Sequence, residues 1–243
     1  ESARIGAETE RLRSALLSSV SHDLRSPLAA IIGSASSLQH YGIKMGDADR
    51  SELLDTIRSE GERLDRYIQN LLDMTRLGHG GLALRREWIG VDELLGAATS
   101  RIAAYVPGAR VELSLDEALK PVWVHPALVE QGLFNIIENA VKFSPPGQPV
   151  RIAARDLGDG SLQVDIDDAG PGIPEADRAR IFDMFYSVER GDRGREGTGL
   201  GLTIAQGMLG AHGGIVVALP GPDARGTRIR ITLPRLAPAE NAA

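Results

Sequence analysis

The chain has 243 residues, of which 42% are hydrophobic, 25% are charged and only 4% are aromatic, and it carries a formal net charge of −6. The acidic balance argues against a nucleic-acid partner, whose phosphates would favour a basic surface. The absence of cysteine excludes disulfides and thiolate chemistry, and no apolar run approaches the roughly 18–20 residues that a membrane-spanning helix needs.

Residues from about 8 to 78 have the spacing of two long helices. Apolar side chains recur at steps of three and four up to Leu38, and the same spacing returns from Leu53 to Thr75. The Gly- and Asp-rich segment 40–50 interrupts the pattern and predicts a loop. We expect an antiparallel hairpin whose apolar stripe is covered by a second copy in a dimeric four-helix bundle. The alternative is packing against the rest of the same chain.

The first helix contains the stretch SVSHDLRSPLA, residues 19–29. His22 lies roughly 160° from the apolar stripe and is therefore predicted to face solvent, with Ser26 one turn later on the same face. Pro27 lacks the N–H that would bond one turn back, so a bend is expected there. A neighbouring carboxylate, Asp23, can fix the tautomer of the imidazole and accept its proton, leaving the other ring nitrogen as a nucleophile. An ordinary surface histidine is the alternative.

Beyond a Gly-rich linker at residues 78–88, the pattern changes to short strands mixed with helices. Strands are predicted at residues 111–115, 122–124, 150–154, 162–166, 214–219 and 227–233. Helical spacing recurs at about 91–105, 126–143, 174–182 and 200–212. This mixture predicts an α+β class, with helices over one face of a mixed sheet.

The predicted helix within residues 129–145 has an unusual polar stripe. Asn135, Asn139 and Lys142 follow at steps of four and three and therefore share one face. Amide oxygens suit Mg²⁺, which takes few protein ligands and keeps water and phosphate oxygens around it, and a lysine suits a phosphate. The stripe thus favours a metal–phosphate site, and a solvated polar face is the alternative.

Two glycine-containing segments lie near the predicted strand and helix ends. In DDAGPGIP, Asp168 is followed by Gly170 and Gly172, which permit a turn and a close backbone approach to a ligand. The segment GTGLGL, 197–202, opens a predicted helix whose N–H groups can face an anion. It lacks the Lys-Ser/Thr of a Walker A loop. The polar residues between the two segments predict a mobile lid.

Five motifs together resemble the H, N, G1, F and G2 boxes of sensor histidine kinases. They are, in the expected order, SHDLRSP, NIIENAVKF, DDAGPG, FDMFY and GTGLGL. The resemblance covers nearly the whole chain and is most pronounced towards KdpD-type, potassium-responsive kinases. It implies a dimerisation and histidine-phosphotransfer hairpin at 8–80, a GHKL-type α/β sandwich domain that binds ATP and Mg²⁺ at 88–236, and a disordered tail at 237–243.

The resemblance implies catalytic roles in the hairpin. His22 corresponds to the phospho-acceptor, and Asp23 to the acid that takes its proton. Ser26 stands where the family usually has Thr or Asn, at the position that orients water during dephosphorylation of the partner. His125, by contrast, stands where an Asp is usual before the N-box helix, and no role is assigned to it.

The resemblance also implies the residues of a nucleotide pocket. Asn139 corresponds to the Mg²⁺ ligand, and Asn135 and Lys142 lie near the phosphates. Phe143 is expected against the adenine, whose amino group Asp168 would bind. The remaining positions of the pocket and lid are Gly170, Gly172, Gly197, Thr198, Gly199, Leu200 and Gly201.

The implied activity is ATP-dependent autophosphorylation of His22, followed by phosphoryl transfer to an aspartate of a response-regulator receiver domain. Phosphatase activity towards that partner is also expected. The resemblance implies a homodimer in the cytoplasm, as the cytoplasmic portion of an inner-membrane sensor. The alternatives are a GHKL ATPase that drives a conformational clamp, a non-catalytic dimeric scaffold, and a protein that acts mainly as a phosphatase.

Overall fold

The computed structural model describes two compact units of the chain, Glu1–Leu72 and Asp73–Ala243. Within them, the described residues are 24–42, 44–78, 85–183, 186 and 199–235. Among these residues, no helix is both long enough and apolar enough to cross a membrane.

The first unit contains two helices, as the sequence predicts. Helix α1 covers residues 24–41 and helix α2 covers Asp47–Gly78, extending past the end of the unit. The break between them is shorter than predicted because α2 starts at Asp47, where two acidic residues in the first turn favour the positive end of the helix dipole. At the end of α1, the N–H of Gly42 donates to Leu38 O over 2.9 Å, and a side chain at Gly42 would collide with that carbonyl.

Some of the small and apolar residues of α1 are buried, and others are exposed to solvent. Pro27 and Ser34 are buried within the unit. Leu28 and Ile32 remain 46% and 56% exposed in the single chain, and Leu54 of α2 remains 53% exposed. The predicted stripe is therefore only partly covered. The bend predicted just after His22 lies outside the described residues.

Among the described residues, the second unit contains seven strands and three α-helices besides the end of α2. The strands are β1 (Glu87–Ile89), β2 (Val111–Leu115), β3 (Val122–Val124), β4 (Val150–Asp156), β5 (Ser161–Asp167), β6 (Ile215–Pro220) and β7 (Thr227–Pro234). The helices are α3 (Val91–Tyr105), α4 (Pro126–Phe143) and α5 (Gly201–Gly210). Strands β2-β4-β5-β7-β6 form one sheet in that order, and β1 pairs with β3 in a separate ribbon. Only β2 and β4 are parallel; the other pairs are antiparallel.

The core lies between the three helices and one face of the five-stranded sheet. Strand β4 alternates buried and exposed residues, and strand β7 alternates buried and half-buried ones, which is typical of a sheet with one face in the core. The buried strand residues join those of α3, α4 and α5 in a single hydrophobic cluster. The predicted α+β class, with helices over one face of a mixed sheet, is confirmed.

One predicted helix is wrong. Residues 174–182 form two short 3-10 turns, Glu175–Asp177 and Arg180–Phe182, and not an α-helix. Its large apolar residues, Ile181 and Phe182, are adjacent and both buried, so the segment has no apolar stripe at helical spacing that could hold a longer helix on the core.

The opposite face of the sheet carries two bidentate ion pairs between β5 and β7. Arg230 donates to both oxygens of Asp165 over 2.7 and 2.9 Å, and Arg228 donates to both oxygens of Asp167 over 2.6 and 2.8 Å. Asp165 is only 6% exposed because the guanidinium groups lie against it. These charge-assisted pairs hold the two central strands in register where no apolar core is present.

Replacing Asp165 with Ala is expected to lower the free energy of unfolding by about 2 kcal/mol, because two arginines lose a buried partner. The matched control is Arg151→Ala, which removes the more exposed pair between Arg151 and Glu112, 3.3 Å apart, and should cost less than about 1 kcal/mol. Urea unfolding of both variants measures the difference. Equal losses would contradict the role assigned to the β5–β7 pairs.

Candidate functional site

Helix α4 carries three of the predicted site residues from the core to the surface. It begins after His125, with Pro126 at the first helical position. Asn135 is 5% exposed, Asn139 is half-buried and Lys142 is exposed. The three residues share one face of α4, as predicted. That face is exposed to solvent only near the C-terminal end of the helix.

The amide nitrogen of the Asn135 side chain has no hydrogen-bond partner among the described residues. Asn135 Oδ1 accepts a hydrogen bond from Gln131 Nε2 over 3.0 Å, while Nδ2 is buried with no partner among the described residues. An unsatisfied buried donor costs about 1–3 kcal/mol. A polar ligand at this end of α4 would remove that cost, which distinguishes Asn135 from a residue that only fills the core.

Asp168 occupies the turn directly after β5. Its Oδ1 accepts hydrogen bonds from the N–H groups of Gly170 (2.8 Å) and Thr227 (3.0 Å). Its own N–H donates to Thr227 O over 2.9 Å. Burial raises the pKa of the Asp168 carboxyl group, and the hydrogen bonds from Gly170 and Thr227 act in the opposite direction. The carboxylate is thus fixed by the backbone of a neighbouring strand.

The glycines of this turn are required by close contacts between backbones. A side chain at Gly226, whose φ is +67°, would collide with the carbonyl oxygen of Asp168. A Cβ at Gly170 would lie 2.7 Å from Phe143 O, and one at Gly172 (φ +76°) would lie 3.0 Å from Gly226 O. The turn is therefore packed tightly on both the end of α4 and the start of β7.

These contacts bring the Asp168 turn next to the predicted N-box residues. The N–H of Ala169 donates to Ser144 Oγ over 3.2 Å, just after α4 ends. Phe143 is 50% exposed at this end of the helix, and Lys142 Nζ lies 5.6 Å from the centre of its ring. The site therefore combines a fixed carboxylate, an exposed aromatic ring and a cation.

Helix α5 supports the site from the other side. Gly199 has φ +65°. Leu200 is the N-cap residue of α5 and its side chain is fully buried, so a ligand at the start of α5 would contact the backbone of Leu200. Gly201 has open space around its Cβ position. The helix packs closely on α4, since a Cβ at Gly132 would lie 3.2 Å from Leu209 Cγ.

Several predicted site residues cannot be placed. His22, Asp23, Gly197 and Thr198 lie outside the described residues, while Ser26 is exposed on α1. Sequence reasoning also missed residues that shape the site. Gly226, Thr227 and Ser144 hold the Asp168 turn, and the only sequence signal was a glycine immediately before a predicted strand.

Two family descriptions match the chain. Residues 12–80 match the His Kinase A (phospho-acceptor) domain, and residues 125–237 match the "Histidine kinase-, DNA gyrase B-, and HSP90-like ATPase". The chain belongs to the sensor histidine kinases. The predicted family is confirmed at this level.

Individual relatives agree with this assignment. The sensor protein KdpD of Escherichia coli K12 is 36% identical over 237 residues, which cover 97% of this chain and 26% of KdpD. The chain thus spans about a quarter of the length of that curated relative. The structure of full-length ShkA in complex with AMPPNP is 25% identical and has a TM-score of 0.64, covering 92% of this chain and 47% of ShkA.

A further solved structure shares the fold. Histidine kinase ThkA, in complex with the response regulator protein TrrA, has a TM-score of 0.74 at 18% identity. The match covers 95% of this chain and 64% of ThkA. The helical hairpin and the GHKL-type α/β domain predicted from the sequence are therefore confirmed as the fold class.

Replacing Gly226 with Ala is expected to destabilise the chain by more than about 2 kcal/mol, because the new methyl group would push Asp168 away from Thr227. Gly108→Ala is the matched control. Gly108 also has a positive φ, +85°, but nothing lies within 4 Å of its Cβ position, so only the backbone strain of about 1 kcal/mol remains. Thermal unfolding compares the two, and similar losses would show that the close approach at Asp168 is unimportant.

Proposed function

We propose that this chain binds ATP·Mg²⁺ in its second unit and transfers the γ-phosphoryl group to His22. The main support for this proposal is the position of the Asp168 carboxylate. Two backbone N–H groups hold it near Phe143, whose ring is exposed. A carboxylate accepts a hydrogen bond from an exocyclic amine, and a flat exposed ring can stack on a base. The pair is therefore suited to an adenine.

The phosphates are assigned to the α4 and α5 side of the site. The unpartnered Nδ2 of Asn135 can donate to a phosphate oxygen, and Lys142 supplies a positive charge. The backbone N–H groups at the start of α5, from Gly199 to Gly201, can face the same anion. The GTGLGL segment would complete this part through Gly197 and Thr198.

The half-buried Asn139 fits Mg²⁺, which prefers oxygen ligands and is commonly held by one or two protein side chains together with phosphates and water. When bound, the ion would neutralise charge that develops on the transferred group. Asn139 would hold it by the amide oxygen, on the same face of α4 as the Asn135 amide.

The transfer step is assigned to two neighbouring residues that precede α1 in the sequence. A ring nitrogen of neutral His22 attacks the γ-phosphorus in line, a P–N bond forms, the bond from phosphorus to the β-phosphate oxygen breaks, and ADP leaves. Asp23 accepts the proton that the imidazole loses. The phosphoramidate then passes its phosphoryl group to an aspartate of a response regulator.

Partner binding and dephosphorylation are assigned to the first unit. Ser26 is exposed on α1, where its hydroxyl can orient a water molecule in dephosphorylation of the regulator. Leu28, Ile32 and Leu54 leave an apolar surface that a second copy would bury in a four-helix bundle. The complex of ThkA with the response regulator TrrA supports a partner of the same kind here.

We assign residues 8–80 to the dimerisation and phosphotransfer domain, residues 88–236 to the ATP-binding domain, and residues 237–243 to a tail. We further propose that the chain is the cytoplasmic part of an inner-membrane sensor, since a KdpD relative is about four times longer. A clamp-type GHKL ATPase is disfavoured because residues 12–80 match the phospho-acceptor domain.

Incubation with γ-labelled ATP and Mg²⁺ is expected to label the wild-type chain and not His22→Gln, because only an imidazole at position 22 can accept the phosphoryl group. The label should be acid-labile and base-stable, as a phosphoramidate is. The control is His40→Gln, which alters another histidine, on the exposed end of α1, and should leave labelling unchanged. Label that persists in His22→Gln would contradict the assignment.

A further inference from the structure

His212 joins the end of α5 to the beginning of α4. Its ring is buried, with the residue 5% exposed. Nδ1 lies 2.8 Å from Met208 O, and Nε2 lies 3.0 Å from the backbone nitrogen of His125. Because a carbonyl oxygen can only accept, Nδ1 carries the proton, and Nε2 accepts the hydrogen bond from the His125 N–H. The contacts on both nitrogens thus select one neutral tautomer.

His212 provides a hydrogen-bond acceptor for the backbone N–H of the N-cap residue of α4. His125 is the N-cap residue of α4, and its side chain makes no capping hydrogen bond. The first N–H groups of a helix have no partner within it, and a buried one needs an acceptor from elsewhere. His212 supplies that acceptor from α5, so the start of one helix is fixed to the end of the other.

This contact lies at the opposite end of the helix pair from the candidate site. The end of α5 meets the start of α4, so the two helices run antiparallel along the Gly132–Leu209 contact. At their other ends lie Asn139 of α4 and Gly201 of α5. A shift of α4 along α5 would therefore change the spacing between the amide stripe and the residues at the start of α5, Gly199–Gly201.

Protonation of His212 would abolish the contact. Both ring nitrogens would then be donors, and Nε2 would face the N–H of His125 with no lone pair to offer. The new cation would also lie near the positive end of the α4 dipole. The charged or titratable groups that face it are His125, from the start of α4, and Arg86, from the segment before β1, which donates to Ala211 O over 2.9 Å. Helix α5 and strand β6 contribute none.

We propose that His212 is a positioning residue for nucleotide binding, whose neutral ring holds α4 in register with α5 and whose protonation releases α4 and weakens the binding of ATP. The inference rests on the proposed function, because it assumes that α4 and α5 frame an ATP site. It assigns a role to the contact between two histidines, neither of which belongs to the five sequence motifs.

The sign of the pH effect follows from the surroundings of the ring. Burial is the main cause that lowers the pKa of His212 below its ordinary value of 6.5, and the positive charge of Arg86 acts in the same direction. Between the lowered pKa and 6.5, the unfolded chain binds a proton that the folded chain does not. The contribution of His212 to the free energy of unfolding is therefore largest above pH 6.5. It decreases as the pH falls from 6.5 towards the lowered pKa.

The test compares ATP affinity at pH 7.5 and pH 5.5 in the full chain, by calorimetry, for the wild type, His212→Gln and His125→Gln. Glutamine at 212 keeps an oxygen that can accept from the His125 N–H and does not titrate. Glutamine at 125 keeps the backbone N–H and replaces only the imidazole side chain. We expect the wild type and His125→Gln to lose about five-fold more affinity at low pH than His212→Gln does. Identical pH profiles for the wild type and His212→Gln would overturn the proposal.

Hydrogen exchange of the His125 amide gives a readout that does not depend on nucleotide. Its protection should fall between pH 7.5 and pH 5.5 in the wild type, after correction for the intrinsic exchange rate, and stay constant in His212→Gln. If the wild type bound no ATP at either pH, the proposed function and the nucleotide part of this inference would both fail. A pH-dependent loss of protection that is absent from His212→Gln would still support the contact itself. Constant protection in both chains would overturn it.

Discussion

The carboxylate of Asp168 is fixed by backbone N–H groups from two segments, its own turn and the first residue of β7. This arrangement is possible only because Gly226 allows the chain to approach the carbonyl of Asp168 more closely than any side chain would permit. The same turn touches the end of α4 through Gly170 and Phe143. The position of the carboxylate relative to the helix is thus set by backbone contacts, which vary less than contacts between flexible side chains.

The remaining parts of the second unit support this turn. The ion pairs from Asp165 and Asp167 to the two arginines of β7 keep β5 and β7 aligned up to the point where the turn begins. On the other face, α4 packs closely against α5 at Gly132, where a Cβ would lie 3.2 Å from Leu209 Cγ. The sheet therefore positions the carboxylate, and the helix pair positions the amides and the residues at the start of α5. In the proposed function, the carboxylate binds the base of ATP and the helix pair binds its phosphates.

Much of this organisation could be predicted from the sequence, for reasons that differ between elements. The strands and long helices carry apolar residues at periods of two and 3.6, which are local signals. The segment 174–182 could not be predicted in the same way, because adjacent residues such as Ile181 and Phe182 are buried by tertiary packing and not by a helical stripe. The N-box stripe was recognised as polar, but the burial of Asn135 depends on what packs over it.

Contacts between distant parts of the chain were the main features that the sequence did not reveal. The bond from Thr227 to Asp168 joins residues 59 positions apart, and the bond from His125 to His212 joins residues 87 positions apart. No local pattern encodes either contact. Motif resemblance identified Asp168 but neither Thr227 nor Gly226, because a motif records the residues that face a ligand more readily than those that hold them in place.

Recognition of an exocyclic amine by Asp168 is the central feature of the proposed nucleotide site. The most direct measurement is calorimetric titration of the wild-type chain with ATP and with inosine triphosphate, in the presence of Mg²⁺. The two nucleotides share their phosphates and differ in the base, where a carbonyl replaces the amino group and the neighbouring ring nitrogen N1 carries a proton. We expect ATP to bind at least about ten-fold more tightly, because the carboxylate of Asp168 would face a carbonyl oxygen in place of an N–H donor. Equal affinities would contradict the assignment of Asp168 and, with it, the placement of the base beside Phe143.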